Sequence, residues 1–138
     1  MDIDHPDFAP HFTHLAAGRL CFPWCEDCRR FHWYPMPRCP HCQGGRLDWR
    51  QVGARGTLFS WTEIHHAFDA RYNGPLPYIV ALVDISDAAG VRLITHLCGA
   101  RNDELSIDMP LEADFSRVMA RTGQLAFRPL RSEGRERD

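Results

Sequence analysis

The chain has 138 residues, 44% of them hydrophobic and 25% charged, a composition that fits one domain or a small module joined to another and excludes a multidomain enzyme or a wholly disordered chain. Its net charge of -2 exerts no global pull on a polyanion, no apolar run approaches the roughly 20 residues of a membrane span, and residues 1–10 lack the basic and apolar regions of a signal peptide. The expectation is a cytoplasmic protein that engages neither membrane nor nucleic acid. Every basic residue is arginine, which removes lysine as a Schiff-base nucleophile or ammonium phosphate clamp.

In chain order, Asp7 to Gly18 reads as a short amphipathic helix. Phe8, Phe12 and Leu15 recur at i, i+4, i+7, Asp7 is placed to cap it, Pro10 falls in the first turn and Gly18 ends it. This face packs within the chain or docks on another subunit. From Cys21 to Trp49, cysteines, prolines and aromatics crowd together with no period long enough to build a core. Short strands then follow: Thr57 to Ile64, Tyr78 to Ile85 (apolar on both faces), and Val91 to Leu97, with Ser86 to Gly90 as the hairpin loop between the last two. Leu111, Ala113 and Phe115 alternate as a fourth strand and Leu125 to Phe127 makes a fifth, so a small barrel is expected. Ala67 to Pro77 is a long connection, and the charged tail 131–138 is expected to be frayed.

The strongest chemical signal is Cys25-Glu26-Asp27-Cys28 followed by Cys39-Pro40-His41-Cys42. Each CxxC turn presents two thiolates to one ion, and two turns complete a tetrahedral four-sulfur shell of the structural zinc type. Such a shell leaves no open position for water, so the metal stabilises the fold and activates nothing. Iron in the same cage, a redox CxxC and a nucleic-acid-reading finger are the alternatives. Arg29 follows the first pair where such turns favour glycine. Cys21 and Cys98 read as buried apolar residues.

The short helix, the run GRLCFPWCEDCRRFHWYPMPRCPHC, and then LDW, GTLFSWTEIHH, PYIVALVDI, GVRLITHL and DMPLEADF together resemble the acyl-CoA-associated OB-fold family with a rubredoxin-like zinc ribbon. These are small proteins that accompany thiolase-like enzymes, and the resemblance spans roughly residues 8 to 130. It implies a mainly β fold: an N-terminal helical segment (1–20), a zinc ribbon (21–50), a five-stranded OB-fold barrel (51–130) and a disordered tail (131–138). It also implies a structural zinc ion on Cys25, Cys28, Cys39 and Cys42, and a non-catalytic subunit in a hetero-oligomer. The implied partner is a thiolase-superfamily enzyme: an acyl-CoA thiolase, an acetyltransferase, or an aldolase acting on steroid side-chain CoA thioesters. Gln43, like Arg29, stands where the family commonly has glycine.

Other residues carry weaker signals. Phe59 and Trp61 share one face of their strand while Leu58 and Ile64 supply the other, so one of the two apolar faces awaits the ribbon, the helix or another subunit. Phe8, Phe12, Leu15, Phe59 and Trp61 are therefore the candidate partner interface. Arg29, Arg30 and Arg38 cluster around the ribbon and suit phosphates, which gives a candidate CoA contact; solvated arginines are the plainer reading. The aromatic barrel face could instead stack bases, but acids such as Glu63, Asp84 and Asp114 lie on those strands and no basic stripe tracks them. Cys98 with His96 is the one conceivable acyl-transfer pair, and no orienting acid or oxyanion donor accompanies it. His65 and His66 point to opposite strand faces and do not share an ion.

Overall fold

The computed structural model describes residues 6–66, 76–115 and 125–130. A 3-10 turn, Pro6–Phe8, leads into helix α1, Ala9–Ala16. Phe8, not Asp7, occupies the N-cap position, and Asp7 lies inside the preceding turn; Pro10 sits in the first turn as expected. The chain leaves the helix at Gly18, whose φ of 77° is the left-handed conformation that glycine adopts without a Cβ penalty, and its N–H returns to the Leu15 carbonyl.

The cysteine-rich segment contains strand structure that its sequence pattern hides. Strand β1 (Leu20–Cys25) pairs antiparallel with β2 (Arg30–Phe31) on one edge and with β3 (Leu47–Val52) along its whole length. Leu20 and Phe22 are fully buried, whereas β3 leaves Asp48, Arg50 and Gln51 in solvent. The apolar alternation is thus concentrated in one strand, interrupted by Pro23 and framed by metal-type cysteines, which masks it.

The remaining strands close into a barrel: β4 (Arg55–Ile64), β5 (Tyr78–Ile85), β6 (Arg92–Leu97), β7 (Pro110–Asp114) and β8 (Ala126–Pro129), ordered β4-β5-β6-β8-β7. All pairings are antiparallel except β6 with β8. Strand β5 alternates without interruption, sending Ile79, Ala81, Val83 and Ile85 into the core and leaving Tyr78, Val80, Leu82 and Asp84 half-buried outside. Leu58, Leu93, Leu111 and Phe127 fill the interior. An ion-pair cluster sits on the barrel wall: Arg128 Nη1, on a partly exposed side chain, lies 3.1 Å from the nearly buried Asp114 carboxylate, and its Nε donates to Glu112 at 3.0 Å.

Leu15 of α1, Leu20 and Phe22 of β1 and the barrel interior form one continuous apolar cluster. The helix and ribbon are thereby tied to the barrel by the same burial that closes it. The Ala67 to Pro77 connection lies largely outside the described residues, as does the 131–138 tail.

Candidate functional site

The two CxxC turns meet at the open end of the β1–β3 sheet. Cys25 closes β1, and the turn that follows folds the Arg29 N–H back to the Cys25 carbonyl at 2.8 Å; the second turn repeats this with the Gln43 N–H and the Cys39 carbonyl at 2.8 Å. Arg29 and Gln43 both sit at left-handed φ, 59° and 67°. The knuckle geometry therefore survives without glycine, at a backbone cost of about 1 kcal/mol per position. Next door, a Cβ on Gly44 would displace the Asp27 carboxylate and crowd Cys42 Sγ. That carboxylate holds Arg46, which anchors the first turn to the end of the second.

All four sulfur atoms lie within 4.8 Å of one another, with Cys25–Cys42 and Cys28–Cys39 at 3.6 Å. A tetrahedral zinc tetrathiolate with Zn–S of about 2.3 Å has sulfurs about 3.8 Å apart, so the donor set matches the ion in chemistry and in span. Backbone N–H groups prepare the sulfurs for charge: His41 N–H points to Cys39 Sγ at 3.3 Å and Gly44 N–H to Cys42 Sγ at 3.4 Å. Burial opposes ionisation of Cys39, but the N–H groups of His41 and Cys42 outweigh it and bring its pKa down to about 7. Burial and the neighbouring sulfurs push Cys28 up to about 12. Four sulfurs so close together could hold a metal ion.

Beside this centre lies a cleft of about 500 Å³ between ribbon and barrel, lined by Trp24, Arg29, Arg30, Phe31, His32, Trp33, Pro40 and His41 and, from the β5–β6 loop, Ala89 and Gly90. His41 ties its walls together: its Nε2 faces the Phe31 carbonyl at 3.2 Å, while its Nδ1 meets Arg30 Nη1 at 3.2 Å. The structure thus brings Arg29 and Arg30 to one cleft. Arg38 is elsewhere, donating to the Gln43 carbonyl at 3.1 Å.

Three comparisons bear on this architecture. Residues 49–116 match the family model for the ChsH2 C-terminal OB-fold domain. A solved structure described as the Ltp2–ChsH2(DUF35) aldolase shares 30% identity, covering 94% of this chain and 98% of that one, with a TM-score of 0.77. The chain belongs to this acyl-CoA-associated OB-fold family. A DUF35 protein of unknown function from Sulfolobus solfataricus, 17% identical with a TM-score of 0.63 over 91% of this chain and 86% of that one, shares the fold. A probable enoyl-CoA hydratase alpha subunit from Thermomonospora curvata is 35% identical over 125 residues, 89% of this chain, and the chain spans 37% of that relative's length.

Within the family fold, the other candidate residues separate. A register shift between Leu58 and Ser60 makes Phe59 an extra residue of β4. Leu58 points inward, Phe59 outward, and the phase then inverts so that Trp61 packs against the core with its indole N–H donated to Asn102 at 2.7 Å. Phe59 and Trp61 therefore lie on opposite faces, contrary to the shared face expected from simple alternation; a bulge is invisible to periodicity. Phe59 is 39% exposed beneath the Arg92 guanidinium, 3.8 Å from the ring centroid. Leu15 is buried in the core, and Phe12 is half-buried against it, so this face of α1 packs within the chain. Phe8 is half-buried and meets Trp33 and Tyr34 edge-on.

His96 stacks on Tyr78, 4.9 Å between centroids, and the Cys98 thiol donates to the Phe127 carbonyl at 3.5 Å. Both side chains are engaged in packing the barrel wall. His65 faces Glu63 at 3.2 Å. Sequence reasoning missed His32 and His11, both buried. Their signal, a histidine among aromatics in a segment poor in aliphatic residues, was present but indistinguishable from a surface one.

Proposed function

We propose that the chain is a non-catalytic accessory subunit that assembles with a thiolase-superfamily enzyme and supports its handling of acyl-CoA. The observation that carries this reading is the similarity along nearly its whole length to a chain of the solved structure described as the Ltp2–ChsH2(DUF35) aldolase, together with the ChsH2 OB-fold match over residues 49–116. The T. curvata relative, described as a subunit of an enoyl-CoA hydratase, points toward CoA thioesters as well. The chain's own chemistry agrees: among the described residues the concentrated group of potential metal ligands is Cys25, Cys28, Cys39 and Cys42, while the Cys98 thiol meets a backbone carbonyl and His96 stacks on Tyr78.

Zinc held by Cys25, Cys28, Cys39 and Cys42 would supply folding free energy to the ribbon and no Lewis-acid chemistry, since the protein itself provides four ligands. The partner-facing surface takes in exposed Phe59 and the Phe8 end of α1, with Trp61, Phe12 and Leu15 setting their positions from within. Arg29, Arg30 and Arg38 are the candidate contacts to CoA phosphates.

Purification from the native host tests this. A large thiolase-like chain should co-elute in stoichiometric amount, and elemental analysis should return one zinc per chain in a colourless protein. A lone monomer that binds single-stranded oligonucleotides with strong salt dependence would replace this reading with the nucleic-acid one, and visible thiolate-to-iron absorption would replace the zinc.

A further inference from the structure

The cleft between ribbon and barrel has the walls of a ligand site. Its volume of about 500 Å³ falls in the range of small-molecule pockets. Two exposed arginines lie on it and, among the described residues, no carboxylate lines it, so its electrostatic preference is for an anion. Arg30 commits one guanidinium nitrogen to His41, which orients the fork and leaves its other donors available. Trp24, Phe31 and Trp33 supply aromatic surface for a planar ring. Behind them both ring nitrogens of His32 are buried, shielded from water and without partners, as is Trp24 Nε1. A ligand that draws the His32 ring toward the cleft gives one of these nitrogens a partner and removes the penalty of leaving it bare. The far wall is fixed by the barrel: the Asp87 carboxylate accepts the Gly53 N–H at 3.2 Å and the Ser86 N–H reaches the Arg55 carbonyl, which sets the loop carrying Ala89 and Gly90 against the ribbon.

We propose that this cleft binds a nucleotide, with phosphate on Arg29 and Arg30 and the purine ring among Trp24, Phe31 and Trp33. This deepens the acyl-CoA reading and rests on it for the ligand's source; it removes Arg38, which lies outside the cleft, from the contact set. The shared chemistry is a phosphate carried beside a purine. The nucleotide end of CoA and a free nucleotide both offer it.

Calorimetric titration of the metal-loaded full chain with adenosine 3′,5′-bisphosphate, AMP and inorganic phosphate tests the proposal. Dissociation constants below about 1 mM are expected for the nucleotides, weakening by at least about tenfold in Arg29→Glu and in Ala89→Trp and unchanged in Arg38→Glu. Preference for the bisphosphate assigns the CoA end; equal binding of AMP assigns a free nucleotide. Should Arg29→Glu fail to retain its metal, Ala89→Trp decides, since it fills the cleft from the barrel side. Absence of nucleotide binding, inorganic phosphate binding as tightly as the nucleotides, or an unaffected Ala89→Trp overturns the proposal. Co-elution of the partner with Ala89→Trp, scored separately, keeps this outcome distinct from failure of the subunit reading.

Discussion

Arg29 and Gln43 show how single residues trade backbone comfort for chemistry. Both occupy a left-handed turn position that glycine fills without strain, yet only Arg29 lines the cleft. Gln43→Gly should therefore raise stability by about 1 kcal/mol, a few degrees in Tm by thermal melt of the metal-loaded chain. Arg29→Gly should show the same gain together with loss of anion binding. His11 is the other informative residue. It is buried among Phe12, Phe22, Trp33 and Trp49, and burial, which a backbone hydrogen bond to Cys21 only partly offsets, lowers its pKa from 6.5 to about 4. With the folded value depressed, the unfolded chain binds the proton first. Titration of His11 therefore leaves stability unchanged above about pH 6.5, and stability falls as the pH drops from about 6.5 to about 4, by on the order of 3 kcal/mol. Denaturant melts of wild type and His11→Gln between pH 7.5 and 5 should show the smaller acid loss in the variant; equal slopes would remove His11 as the cause.

At the scale of elements, the ribbon is a three-stranded sheet whose open end is held by sulfur and whose inner side is held by Leu20 and Phe22. Metal affinity of about 10 kcal/mol in small zinc modules exceeds what so few aliphatic contacts supply. Chelation, or Cys39→Ser, should therefore collapse the near-UV circular dichroism of Trp24, Trp33 and Trp49 while the far-UV strand signal of the barrel persists. An unchanged spectrum and Tm after chelation would show that packing alone holds the ribbon. The bulge in β4 has its own consequence. It turns Trp61 inward onto Asn102, so Trp61→Phe should cost about 1 kcal/mol through the lost hydrogen bond and mismatched packing, whereas Phe59→Ser should leave the melt nearly unchanged.

For the whole molecule, one apolar cluster joins helix, ribbon and barrel and leaves Phe59, Tyr34 and Met36 on the outside. Exposed aromatic side chains at an interface centre typically carry most of the binding energy. Phe59→Glu should accordingly weaken co-elution of the partner by at least about tenfold while the chain remains folded and metal-loaded; full retention of the partner would move the interface to the Phe8 and Tyr34 side.

The four-cysteine cluster, the β5 alternation and the hairpin loop 86–90 were legible in the chain because each is a local pattern: a spacing of three, a period of two, a cluster of turn residues. The strand Leu20–Cys25 was not, since Pro23 and the cysteines conceal its alternation and its partner β3 lies beyond the second CxxC turn. Nor was the inversion of Phe59 and Trp61, because one inserted residue changes the pleat phase only against a paired strand. The sequence by itself thus determined the sulfur cage and the barrel class. Only the tertiary structure decided that Arg29 and Arg30, but not Arg38, face the same cleft as the loop at Ala89, because that juxtaposition arises from long-range packing of the ribbon on the barrel, which no local period encodes.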